Sequence, residues 1–91
     1  MSTSIGQTAQ EAVHDNLLAF LARRTRSEVA PDQDLFASGL VSSLFAMELV
    51  VYLEGTFGIA ITGDELRLAN FRSVTSMTEM VLRLREAGAG D

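Results

Sequence analysis

A chain of 91 residues has room for one domain, near the lower size at which a single apolar core holds a fold without metals or disulfides. Its 47% hydrophobic content predicts a globular domain, and no apolar run approaches the roughly 20 residues needed to cross a bilayer. The absence of cysteine and the presence of one histidine exclude a disulfide frame, a thiolate metal site and a cysteine nucleophile, while a net charge of −5 argues against binding a nucleic-acid backbone.

The start of the chain, Met1-Ser2-Thr3-Ser4-Ile5-Gly6, has neither a basic cluster nor an apolar segment, so no secretory signal is predicted and a cytoplasmic location is expected. Ser4-Ile5-Gly6-Gln7 and Thr8-Ala9-Gln10-Glu11 both fit a capping box. Val13, Leu17, Leu18, Phe20 and Leu21 then recur at helical spacing, which predicts a first helix ending near Arg26. Arg23, Arg24 and Arg26 suit that end, where cations oppose the negative pole of the helix dipole. His14 falls where the pattern turns polar and is expected to be exposed and chemically idle.

Across residues 27–42 helical periodicity fails. Pro31 breaks the chain, Asp32 and Asp34 favour turns, and Gly39 permits a positive φ. Leu35, Phe36 and Leu40 predict a long loop pinned to the core, able to present a fixed site at its end. Ser42 or Ser43 caps a second helix, in which Leu44, Met47, Val50, Val51 and Phe57 keep the spacing of a buried stripe until Gly55 and Gly58 close it. Ile59-Ala60-Ile61 is too short and isolated for a strand and is expected as an extended, core-contacting loop. A short third helix is predicted from Asp64 to Leu68, with Asn70-Phe71-Arg72 as a connection. Ser73 caps a fourth helix with Val74, Met77, Val81 and Leu84 on its apolar face and Gly88 as its stop. The expected fold is all-α, a bundle of three main helices plus one short helix. It forms one domain over residues 1–91, its core at about 5–87 and its tail, 88–91, frayed.

All seven basic residues are Arg, and they lie outside residues 27–66. Inside that segment stand Glu28, Asp32, Asp34, Glu48, Glu54, Asp64 and Glu65, so a negative field is expected over the middle of the chain. No Gly-rich phosphate loop and no nucleophile paired with a base occurs, and an autonomous enzyme is not predicted. Asp64 and Glu65, adjacent on a helix, point apart and suit the first turn rather than a shared substrate atom.

One constellation stands out: Leu35-Phe36-x-x-Gly39-Leu40-Val41-Ser42-Ser43-Leu44, then Glu48-Leu49-Val50, then Phe57-Gly58-Ile59-Ala60-Ile61. Over about residues 32–85 it resembles the acyl carrier protein family. In that family a pinned loop ends in Asp-Ser-Leu, and the Ser at the start of helix two is esterified to 4'-phosphopantetheine. The resemblance implies Ser43 as the attachment residue, 4'-phosphopantetheine as cofactor, and no catalysis by the chain itself. Independently, a serine hydroxyl at a helix N-terminus is exposed beside unpaired N–H groups that favour a phosphate's charge. Ser42 departs from the family pattern by replacing the usual Asp, which leaves the transferase that recognises the chain open.

Helix two is the surface that partner enzymes read in this family, which implies Leu44, Phe45, Met47, Glu48, Tyr52 and Glu54 as contact positions. A monomer is expected, and the partners implied are a phosphopantetheinyl transferase, acyl-loading and acyl-modifying enzymes, and a polyketide synthase acyltransferase or ketosynthase; neither nucleic acid nor membrane is among them. The segments Ser43-Leu44-Phe45-Ala46-Met47-Glu48-Leu49-Val50 and Leu68-x-Asn70-Phe71-Arg72-Ser73 are similar to discrete carriers of glyceryl-derived, hydroxymalonyl or methoxymalonyl extender units for polyketide assembly, which also tend to lack the Asp. Two alternatives stand beside this. An aminoacyl or D-alanyl carrier shares the longer Gly-Leu-Val-x-Ser-Leu loop, and an unmodified helical adaptor would use the acidic segment 28–66 for docking.

Overall fold

The computed structural model describes residues 8–89 and, among them, is helical without a strand. Helix α1 spans Thr8–Thr25, α2 Ser43–Phe57, a 3-10 turn Gly63–Glu65, α3 Leu68–Phe71 and α4 Val74–Ala89. The all-α expectation holds, with a compact globule of 13.1 Å radius of gyration. The Ser4-Ile5-Gly6-Gln7 capping box and the last residues of the tail, Gly90 and Asp91, lie outside the described residues. No described helix is long and apolar enough to cross a membrane.

Helix α1 buries Val13, Leu17 and Leu21, spaced four apart on one face, together with Phe20. It packs chiefly against α4, whose Val74, Met77, Met80 and Val81 are fully buried and close the core. The helix ends at Thr25 because Arg26 turns into the left-handed region at φ 58°, its N–H donating to Ala22 O at 2.8 Å. His14, expected in solvent, is half-buried, its Nδ1 3.6 Å from Asp15 Oδ1.

Residues 26–42 are a loop, and its anchor is Leu35. The side chain is fully buried, the N–H donates to Arg72 O at 2.7 Å, and the carbonyl receives both Leu40 and Val41 N–H at 3.1 Å. Asp34 Oδ1 accepts Phe36 and Ala37 N–H at 3.1 and 2.9 Å, which folds the turn that Gly39 (φ 82°) closes. Farther upstream, Thr75 donates its N–H to Pro31 O and its hydroxyl to Asp32 Oδ1. The loop is therefore stitched to the α3–α4 junction at two places.

The apolar stripe expected on α2 is corrected by the structure. Leu49 and Leu53 are the fully buried residues, while Leu44, Met47 and Val51 are 77%, 63% and 70% exposed. The helix is apolar almost all round, so spacing alone offers several stripes and the pinned loop selects which one turns inward. Gly58 closes α2 in the left-handed conformation at φ 67°, its N–H bonded to Glu54 O, whereas Gly55 stays inside the helix. Ile61 is buried in an extended segment as expected, its N–H held by Glu54 Oε2 at 2.8 Å.

Two further boundaries differ. Residues 63–65 form a 3-10 turn, and the short α-helix starts only at Leu68 and includes Asn70 and Phe71, because Phe71 is pulled into the core. Gly88 does not stop α4, which continues to Ala89; a helical Gly costs only about 1 kcal/mol relative to Ala, and two alanines flank it. The Ser73 cap holds, with its Oγ accepting Ser76 N–H at 3.1 Å, and so does the placing of Met77 in the core.

The Thr78 hydroxyl on α4 is buried without a hydrogen-bond partner among the described residues. An unmet buried hydroxyl is destabilising, so Thr78→Val, which keeps the shape, should raise unfolding free energy by about 1 kcal/mol in urea titration. Leu35→Ala should lower it by about 3 kcal/mol, as deletion of a fully buried leucine does, and hydrogen exchange should then accelerate at the Leu40 and Val41 amides ahead of those in α1.

Candidate functional site

The loop delivers two serines with different tasks. Ser42 has extended backbone (φ −97°, ψ 172°) and caps α2: its Oγ accepts Phe45 N–H at 3.1 Å and its carbonyl takes Ala46 N–H at 2.9 Å. Ser43 is the first helical residue and is exposed, and its hydroxyl makes no hydrogen bond among the described residues. The Ser43 and Leu44 N–H groups precede any intrahelical acceptor, so they face outward at the positive end of the helix dipole. An exposed primary hydroxyl beside such donors is chemically suited to bear a phosphate ester.

From Ser43 an open groove of about 270 Å³ runs between α2 and α3. Ala46, Met47 and Val50 form one wall and Leu66, Arg67, Leu68 and Phe71 the other. Ser43 and Arg67 are the polar residues among those that line it. Leu66 and Leu68 are about half exposed, which continues the apolar surface of Leu44, Met47 and Val51 beyond α2.

The positions that sequence named as contacts divide by direction. Leu44, Met47 and Glu48 face outward. Phe45 and Tyr52 turn toward α1: the Phe20 and Tyr52 rings stack at 3.8 Å, and the Tyr52 hydroxyl bonds Asn16 Oδ1. Arg24 lies over the Phe45 ring at 4.8 Å and pairs with Glu48 at 2.5 Å. Glu54 is occupied by the Ile61 amide. Arg24 thus does more than oppose a dipole, since it covers Phe45 and engages the one carboxylate exposed on the outer face of α2.

The negative field expected over residues 27–66 is also reduced. Arg24, Arg72 and Arg83, from outside the segment, pair with Glu48, Asp34 and Glu65 at 2.5, 3.7 and 2.6 Å. Sequence reasoning missed the groove and Arg67. The available signal was Leu66-Arg67-Leu68 itself, two leucines flanking an Arg in a short connecting segment, both of which end up more than half exposed.

The geometry fits a phosphopantetheine group: an exposed hydroxyl, donors for its phosphate, and an apolar groove leading away. The comparisons agree. The family described as "Phosphopantetheine attachment site" matches residues 12–86. D-alanyl carrier proteins of Streptococcus pyogenes serotype M5 (strain Manfredo), serotype M49 (strain NZ131) and serotype M1 are each 38% identical over 56 residues, covering 62% of this chain and 71% of theirs. A match across most of the helical core, with relatives that are themselves carriers, establishes that the chain belongs to the phosphopantetheine-binding carrier protein family, with 4'-phosphopantetheine as its prosthetic group.

Proposed function

We propose that Ser43 bears the arm, and that the protein holds an acyl group as a thioester on the arm's thiol and presents it to partner enzymes. The observation that carries this is the division between the serines. Ser42 is committed to capping α2, and Ser43 is left exposed at the mouth of the groove. In the transfer, Ser43 Oγ attacks the phosphorus that links pantetheine to the nucleotide of coenzyme A. The new P–O bond replaces the one to 3',5'-ADP, which leaves, and the hydroxyl proton passes to solvent or to a base of the transferase. The chain contributes the positioned hydroxyl and the first-turn N–H groups.

For the cargo, the reading adopted is a polyketide extender unit, a glyceryl-derived, hydroxymalonyl or methoxymalonyl group. It rests on the similarity of residues 43–50 and 68–73 to such carriers, and on an outer α2 face of Leu44, Met47 and Val51 whose one exposed acid, Glu48, is paired with Arg24, which favours apolar docking of synthase partners. A second reading, a D-alanyl or aminoacyl carrier, is favoured by the 38% identity to D-alanyl carrier proteins. The unmodified adaptor is disfavoured by the fit of the site to its prosthetic group.

Incubation with coenzyme A and a broad-specificity phosphopantetheinyl transferase should add one phosphopantetheine to the intact mass. The adduct should vanish in Ser43→Ala and persist in Ser42→Ala, which should lose only about 1 kcal/mol of stability with its cap. An adduct that survives Ser43→Ala would refute the attachment site. Of the loaded forms, the holo protein should accept a glyceryl or malonyl-type unit from the matching loading enzyme; charging with D-alanine by an adenylating ligase, and not with these, would select the second reading.

A further inference from the structure

Among the residues that line the groove beside Ser43, one is ionisable, the exposed Arg67. Arg67 stands between Leu66 and Leu68, opposite Ala46, Met47 and Val50. Arg24, Arg72 and Arg83 are each paired with a carboxylate, but no carboxylate among the described residues lies within 4.0 Å of the Arg67 guanidinium. Its backbone is fixed on both sides, the N–H donating to Glu65 O at 2.9 Å and the carbonyl receiving Asn70 N–H at 3.0 Å. The side chain thus starts from a set position on the groove wall while its charge has no carboxylate partner among the described residues.

We propose that Arg67 is a specificity-determining residue that pairs with an oxyanion carried by the arm, either the phosphodiester at its root or a carboxylate on its cargo. This rests on the reading of Ser43 as the attachment site. A guanidinium offers paired donors in a plane, which matches phosphate and carboxylate alike. The α2 wall from Ser43 to Val50 covers two helical turns, about 10 Å, so the root of the arm necessarily enters at the Ser43 end and the acyl end can fold back along the wall. A malonyl-type thioester then places its free carboxylate in a groove that holds one cation. An aminoacyl thioester would bring an ammonium into the same groove, and Arg67 would repel it. Arg67 therefore sets a preference for anionic over cationic cargo.

The test uses the full chain, as wild type, Arg67→Gln, Arg67→Lys and Arg85→Gln, the last an exposed arginine of α4 outside the groove. Each is loaded by transferase from coenzyme A, from propionyl-coenzyme A and from malonyl-coenzyme A labelled with carbon-13 at the free carboxyl, and intact mass verifies every form. Failure of the wild type to load overturns the Ser43 reading itself and is visible before any comparison of variants. In the loaded forms, NMR follows the carboxyl titration and the phosphorus resonance.

A guanidinium partner favours the ionised carboxyl, so its acid dissociation constant should be about threefold larger in the wild type than in Arg67→Gln, the size of a solvent-exposed ion pair. Arg67→Lys should fall between them, and Arg85→Gln should match the wild type. The difference should shrink in high salt. A phosphorus shift that moves in Arg67→Gln already without cargo assigns the contact to the phosphodiester; a carboxyl effect in the malonyl form, with phosphorus shifts equal in wild type and Arg67→Gln without cargo and with propionyl cargo, assigns it to the cargo. Equal carboxyl titrations and equal phosphorus shifts in wild type and Arg67→Gln, with amide spectra showing both folded, overturn the proposal.

Discussion

The structure depends on one residue's placement more than on any helix. Leu35 fills the core with its side chain and uses both of its backbone groups, the N–H on Arg72 O and the carbonyl on the Leu40 and Val41 amides. A loop of this length has many closed conformations at similar entropic cost. Tying its middle to the start of α4 and its end to itself leaves few. Because Val41 is buried immediately after this turn, the chain must emerge at Ser42 with extended backbone, which is the conformation an N-cap requires. The position of Ser43 is therefore a consequence of how Leu35 is held.

The same anchoring decides which face of α2 meets the core. With the first turn fixed, Leu49 and Leu53 turn inward and Leu44, Met47 and Val51 are left in water. Exposing three large apolar residues on one helix costs solubility unless the surface is covered part of the time, and a carrier that meets successive enzymes supplies that condition. Leu66 and Leu68 extend the patch across the groove, so the site and the exposed apolar surface are continuous.

Sequence made legible whatever depends on local chemistry. A serine cap at residue 42 or 43, the Ser73 cap, the break at Pro31, the positive φ at Gly39, the close of α2 at Gly58 and the buried face of α1 all follow from side chains acting within a few residues. What sequence left hidden depends on distant partners. The inward face of α2 was ambiguous because nearly every position is apolar. The acidic middle looked uncompensated because its counter-charges, Arg24, Arg72 and Arg83, lie 24, 38 and 18 residues from Glu48, Asp34 and Glu65. The start of α3 moved to Leu68 because Phe71 is drawn into the core, which propensity does not encode.

The replacement of the usual Asp by Ser42 acquires a physical meaning from these distances. The capping bond to Phe45 N–H is kept, so the geometry at Ser43 does not need the carboxylate. What changes is charge. A carboxylate beside Ser43 would repel an anion brought to this end of α2, whereas a neutral serine leaves the first-turn N–H groups and Arg67 as the nearby polar features. Glu48 is drawn toward Arg24 on the side of α1, so α2 contributes no negative charge to the groove itself. The loss of one acid, the diversion of another and the presence of an arginine with no carboxylate partner among the described residues act in the same direction. Together they make the surroundings of Ser43 more favourable to anions than the net charge of −5 suggests.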